Sequence, residues 1–252
     1  MPAHIDLSKL SVQQFAERFR GDMIPLSNPF SYYCASVPMS EEDQKEYLEE
    51  PIAALPPKIS AALPKISILL VPYLERDRPK TKAAAEADYV SIEKPPEGRT
   101  SASTQLKLGT ETVLAFALKD QEVAEYHYRF YHLLASVVGE KWPEEIETRY
   151  SRILREEMNA DAHGEVDEPS WRLKQGLKRS KGAAAAKAFR SYAQQSFVDT
   201  LTLYLHGICC DIDVDTGPRQ LPSRYLRKRI VALEEMFPPP KGYVVFPEQL
   251  EP

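Results

Sequence analysis

The chain has 252 residues, of which 43% are apolar and 27% charged. That length supports one large domain or two small ones with a substantial core, and the composition excludes a disordered chain. Three cysteines, two of them adjacent, make no disulfide framework, and the longest aliphatic run, 68–71, is far too short to span a membrane. The net charge of -5 hides an uneven distribution. Residues 170–230 hold 12 Lys and Arg against 4 Asp and Glu, a surplus of +8, while 1–169 carry -10 and 231–252 carry -3. The first residues lack the basic and apolar segments of a secretory signal, and the cysteine usage suits a reducing compartment, so a cytoplasmic location is expected.

In chain order, Ser11 and Gln14 form a capping-box pattern that predicts a short helix through Phe15 and Phe19. Pro25, Pro29 and Pro38 predict irregular chain with Phe30, Tyr32 and Tyr33 packed on the body. Ser40, followed by Glu41, Glu42 and Asp43, predicts a helix ending near Pro51. Residues 66–74 read as a β-type run that Pro72 demotes to an edge or bulge. An exposed loop over 76–86 and a short strand over 89–92 follow. Residues 105–108 and 113–118 read as a hairpin turned at Gly109 and Thr110.

From 120 onward the pattern is helical. Val123, His127, Phe130, Leu134 and Val137 recur at spacings of 4, 3, 4 and 3, the stripe of a helix over 120–138. Pro143 opens another helix through Ile146, Tyr150, Ile153 and Leu154. Residues 159–170 are acidic and broken by Gly164 and Pro169. A long helix over 181–205 and a last one over 222–237 follow, the latter stopped by three prolines, and 243–246 reads as a final strand.

Asp211, Asp213 and Asp215 alternate, so in extended chain they share one face, and carboxylates that close suit a divalent cation. The segment is similar to the Asp-x-Asp core of polymerase-beta-type nucleotidyltransferases. Metal-dependent phosphotransfer or hydrolysis would have Asp211 and Asp213 holding Mg2+ or Mn2+, with Asp215 or Glu248 completing the shell. Those enzymes also carry an upstream Gly-Ser turn, which this chain lacks. A calcium-loop pattern fails, because Thr216 and Pro222 stand where Gly and Glu are required. Phosphatases of the haloacid-dehalogenase type place the motif after an early strand, and here it lies late. A solvated acidic loop is the bland alternative.

His206, Cys209 and Cys210 are soft-ligand types, but adjacent cysteines do not easily share one zinc with His206, and they read as small buried residues at a helix end. His127 and His132 point about 140° apart on a helix and form no zinc-gripping pair. His127 therefore reads as a packed core histidine. No nucleophile elbow, dinucleotide fingerprint or phosphate-cradling loop occurs.

The basic block comprises Arg172, Lys174, Lys178, Arg179, Lys181, Lys187 and Arg190, then Arg219, Arg224, Arg227, Lys228 and Arg229. Such residues bind phosphates or carboxylates, or pair internally with the acidic first part. The expectation is an α+β fold, with a small, mainly antiparallel sheet in the first half (1–119) packed against a helical C-terminal half (120–252), as two parts or one continuous domain. The function expected is a non-catalytic binding subunit of a larger cytoplasmic assembly, without cofactor or membrane. Arg172, Lys174, Lys178, Arg179, Arg219, Arg224, Arg227 and Lys228 would contact nucleic acid, DNA or RNA, or an acidic protein partner. The alternative is a metal-dependent phosphotransfer or hydrolysis enzyme using Asp211, Asp213 and Asp215. The last helix is expected to return antiparallel along the long one, merging both basic clusters into one face.

Overall fold

The computed structural model of the protein describes residues 10–35, 39–77, 87–177, 179, 181–210 and 219–246. Helix α1 (Val12–Arg18) opens on the expected capping box, with the Ser11 side chain and Gln14 satisfying each other's backbone N–H. Strands β1 (Ile24–Ser27) and β2 (Phe30–Cys34) follow, where irregular chain was expected. Pro25 sits on an outer strand, where a missing N–H costs no central ladder bond, and Pro29 lies in the connection. Helix α2 (Glu41–Gln44), the wider turn Lys45–Glu49 and α3 (Glu50–Ala53) are continuous. The widening immediately precedes Pro51, which has no N–H to offer the preceding turn. Helix α4 (Pro57–Ala62) leads to β3 (Lys65–Val71), β4 (Tyr73–Asp77), β5 (Ala87–Ser91), β6 (Thr100–Ser101), β7 (Ser103–Leu108) and β8 (Glu111–Ala117).

The larger sheet has the order β1-β2-β3-β8-β7 and the smaller β5-β4-β6. Among the described residues, four of the six strand pairings are antiparallel, and the two at the centre of the larger sheet, β2 with β3 and β3 with β8, are parallel. The expected edge position of 66–74 is overturned: β3 is the middle strand. Ile66, Ile68, Leu69, Leu70 and Val71 are all fully buried, the continuous apolar run of a strand covered on both faces. Pro72 marks the break between β3 and β4, which belong to different sheets.

Helices α5 (Val123–Glu140), α6 (Glu144–Asn159), α7 (Glu168–Leu177), α8 (Ala183–Cys209) and α9 (Ser223–Met236) complete the fold, which is α+β. Helix α7 was not expected from its acidic, proline-containing start, although Pro169 falls in its first turn, where it is tolerated. No strand forms over 243–246. No helix among the described residues is long and apolar enough to cross a membrane.

The chain divides into two compact units, Met1–Glu50 with Leu63–Arg129, and Pro51–Ala62 with Phe130–Pro252. In the first, Phe15 and Ala16 of α1 pack on Leu69, Val71, Val113 and Ala115 of the sheet. Tyr126 meets Phe116 edge-on at 5.0 Å. His127 is buried, with its Nε2 2.9 Å from the Glu46 carbonyl, a packed histidine as its stripe position suggested. In the second unit α8 is the axis, with Tyr192, Phe197, Leu201, Tyr204 and Leu205 fully buried.

The direction of α9 corrects an expectation. Ser196 accepts from Arg229, and eight residues further along each helix Tyr204 donates to the Phe237 carbonyl. Helix α9 therefore runs parallel to α8. It runs antiparallel to α6, since Glu156 pairs with Lys228 and Arg149 with Glu235. The cause is a bridge of Glu165 with Gln220, which starts α9 back beside the middle of α8 rather than at its end.

Candidate functional site

Glu157 of α6, Glu165 of the segment before α7 and Ser196 of α8 converge on Arg229 of α9, whose side chain is fully buried. Its Nε lies 3.0 Å from Glu157 Oε1 and its Nη2 2.6 Å from Glu157 Oε2. Its Nη1 reaches Glu165 Oε2 and Ser196 Oγ, both at 2.8 Å, and Nη2 also reaches Glu165 Oε1 at 3.1 Å. All five guanidinium N–H groups thus have acceptors. Lys174 of α7 places Nζ 3.1 Å from Glu165 Oε1 and donates to the Gly164 carbonyl at 2.8 Å. Tyr192 of α8 donates to Glu165, and Tyr150 of α6 lies 2.7 Å from Thr200.

Two carboxylates meet two cations, so the buried cluster is neutral in sum. Burial alone would raise the Glu165 carboxyl, but Arg229, with Lys174 and Tyr192, holds it down to about 2. Burial would likewise favour loss of the Arg229 proton, yet Tyr150, Glu165 and Glu157 press its pKa well above the ordinary guanidinium value. The Tyr192 hydroxyl is raised by burial and by Glu165. Each group is held in the charge state its partners require, which describes a structural network rather than one poised to exchange protons.

This arrangement redistributes the basic block. Lys174 is 8% exposed, so its expected place on an outer anion-binding surface is corrected: Glu165 and Gly164 consume its charge inside. Arg229, counted with the basic block, is likewise internal. Arg172 is exposed and paired with Glu168 at 2.7 Å, Lys228 with Glu156 at 2.6 Å and Arg190 with Glu147 at 3.1 Å. Arg179 is exposed. Lys178, Asp211, Asp213, Asp215 and Glu248 lie outside the described residues. His206 and Cys209 occupy the last turns of α8. Arg219, Arg224 and Arg227 are exposed, and each guanidinium stands over an aromatic ring: Trp171 at 5.0 Å, Tyr225 at 4.6 Å and Phe246 at 4.3 Å.

A cleft of about 380 Å³ opens beside this surface, lined by Met158, Ala162, Trp171, Lys174 and Leu177 among others. Its loop is set by Gly164 at φ 78°, where a Cβ would lie 2.2 Å from the Gln220 carbonyl oxygen. Glu165 N donates to the Arg219 carbonyl and Leu221 N to the Glu165 carbonyl, both at 3.0 Å, which holds Arg219 close to the cleft.

Sequence reasoning missed Glu157, Glu165 and this cleft. A signal existed for Arg229: it shares the apolar stripe of α9 with Leu226, Leu233 and Met236, at offsets of 3, 4 and 7. A cation on the apolar face of a helix needs a buried partner, and the acids preceding the basic block supply it. The chain matches no protein-family model, no curated protein and no solved structure.

Proposed function

We propose that the helical unit is a non-catalytic binding module, part of a larger cytoplasmic assembly, that holds an acidic segment of a protein partner. The carrying observation is the pair of exposed guanidiniums of Arg219 and Arg224 held over Trp171 and Tyr225. A guanidinium laid on a ring keeps donors at its edge for a carboxylate: Arg224 spends one, from Nη2, on the Tyr225 hydroxyl at 3.0 Å and has the rest to offer. It also has less side-chain freedom left to lose on binding. Arg, Trp and Tyr are the residue types that dominate protein interfaces. Nucleic acid fits less well: the arginines already cover ring faces on which bases would stack, and the chain as a whole is acidic.

Fluorescence anisotropy with a short labelled Glu/Asp peptide and with single-stranded RNA, at low and physiological salt, tests the reading. The peptide is expected to bind, to weaken as salt rises, and to lose roughly tenfold or more in affinity for the Arg219→Glu/Arg224→Glu variant. Absence of peptide binding at low salt, or tight binding of RNA alone, overturns it.

A further inference from the structure

We infer that the cleft beside Trp171 seats one large apolar side chain of the acidic partner, so that the module reads an apolar anchor flanked by carboxylates. This deepens the function proposed above and rests on it. Trp171 is the common wall: it lines the cleft, and its ring carries the Arg219 guanidinium. A segment whose carboxylate meets Arg219 therefore brings its neighbouring residue to the cleft mouth.

The chemistry of the cleft selects an apolar occupant. Met158 is 40% exposed, among the few large apolar side chains of the described residues left so open, and it lines the cleft with Ala162, Trp171 and Leu177. An exposed apolar wall in a concave site gains by being covered. The cation within it, Lys174, is engaged by Glu165 and the Gly164 carbonyl, so a carboxylate entering there meets a charge already neutralised. Asp161 and His163 also line the cleft, with the His163 Nε2 3.9 Å from the Asp161 carboxylate, so an entering anion would compete with that carboxylate. Carboxylates are thus directed to the arginines outside and an uncharged side chain to the interior. The loop geometry at Gly164 builds the cleft before any partner arrives, which keeps the ordering cost of binding small.

The test uses the full chain and two labelled Glu/Asp peptides that differ only at a central residue, Leu or Ser. The Leu peptide is expected to bind roughly tenfold more tightly, the discrimination typical of burying such a side chain in a pocket. Met158→Gln, and separately Met158→Gln/Leu177→Gln, should collapse that ratio towards one, with circular dichroism confirming the helical fold. Arg219→Glu/Arg224→Glu should weaken both peptides while Leu stays favoured over Ser. Equal affinity of the two peptides for the unaltered protein overturns the anchor and leaves the acidic-segment reading standing; binding of neither overturns both. A Leu preference that survives the cleft substitutions also overturns the inference. So does self-association in analytical ultracentrifugation that the same substitutions abolish, since a second copy would then fill the cleft.

Discussion

Arg229 shows how one side chain can decide the fate of several others. Replacing it with Gln leaves Glu157 and Glu165 buried at 1% exposure without their shared cation. Breaking such a pair by removing one partner costs about 3–5 kcal/mol. Urea unfolding of Arg229→Gln is expected to show a loss of that size, and Arg229→Lys should recover only part of it, because an ammonium cannot span both carboxylates as the planar fork does. An unchanged midpoint would remove the network from the account of stability.

Glu165 gives the same cluster a pH signature. Its folded pKa, about 2, lies below the ordinary carboxylate value, so the folded state binds fewer protons than the unfolded chain across the intervening range. The stability it contributes is complete above the unfolded value near ~4.3. It falls away as the pH drops towards 2. Thermal melts between neutral and strongly acid pH should therefore show a shallower acid limb for Glu165→Gln, which has no proton to take up, than for the unaltered protein. Parallel acid limbs would assign the acid sensitivity to other carboxylates.

At the scale of elements, α8 carries the helical unit. Phe197 is fully buried between Trp142 at 4.6 Å and Tyr150 at 5.4 Å. Phe197→Ala is expected to cost about 3–5 kcal/mol in urea unfolding, because packed aromatic neighbours collapse poorly into the space left. This helix was legible in the sequence: its alanine-rich start and the spacing of Phe197, Leu201 and Leu205 carry the period on their own. The hairpin of β7 and β8 was legible for the same reason, with Gly109 at φ 67° turning it. Strands β1 and β2 were not. Their prolines read as breakers, and only pairing in the sheet shows that Pro25 occupies an outer strand. Helix α7 was hidden similarly, since its charges and Pro169 mask a face that packs on α8. There Ser170 N donates to the buried Asp199 carboxylate at 3.2 Å.

Across the whole molecule the surplus of positive charge was legible, but its destination was not. Charge counts along a chain do not say which groups share a helix face with apolar residues. The structure divides the block: Lys174 and Arg229 turn inward, Arg172, Arg190 and Lys228 meet acids of residues 147–168, and Arg219, Arg224 and Arg227 stand exposed over rings. Exposed pairs such as Arg172 with Glu168 contribute at most about 1 kcal/mol. The inward pairs therefore carry most of the structural consequence.

The buried cluster also bears on how the chain is made. Arg229 follows Glu165 by 64 residues and Glu157 by 72. Synthesis runs from the N-terminus, so both carboxylates leave the ribosome before Arg229, and although Lys174 follows Glu165 closely, Glu157 waits for Arg229 alone. Until α9 emerges, α6 and α8 cannot close on each other without burying uncompensated charge, and the apolar side chains of α8 stay open to solvent. A nascent chain in that interval exposes the kind of surface that chaperones bind. The helical unit thus closes its core late, when α9 arrives.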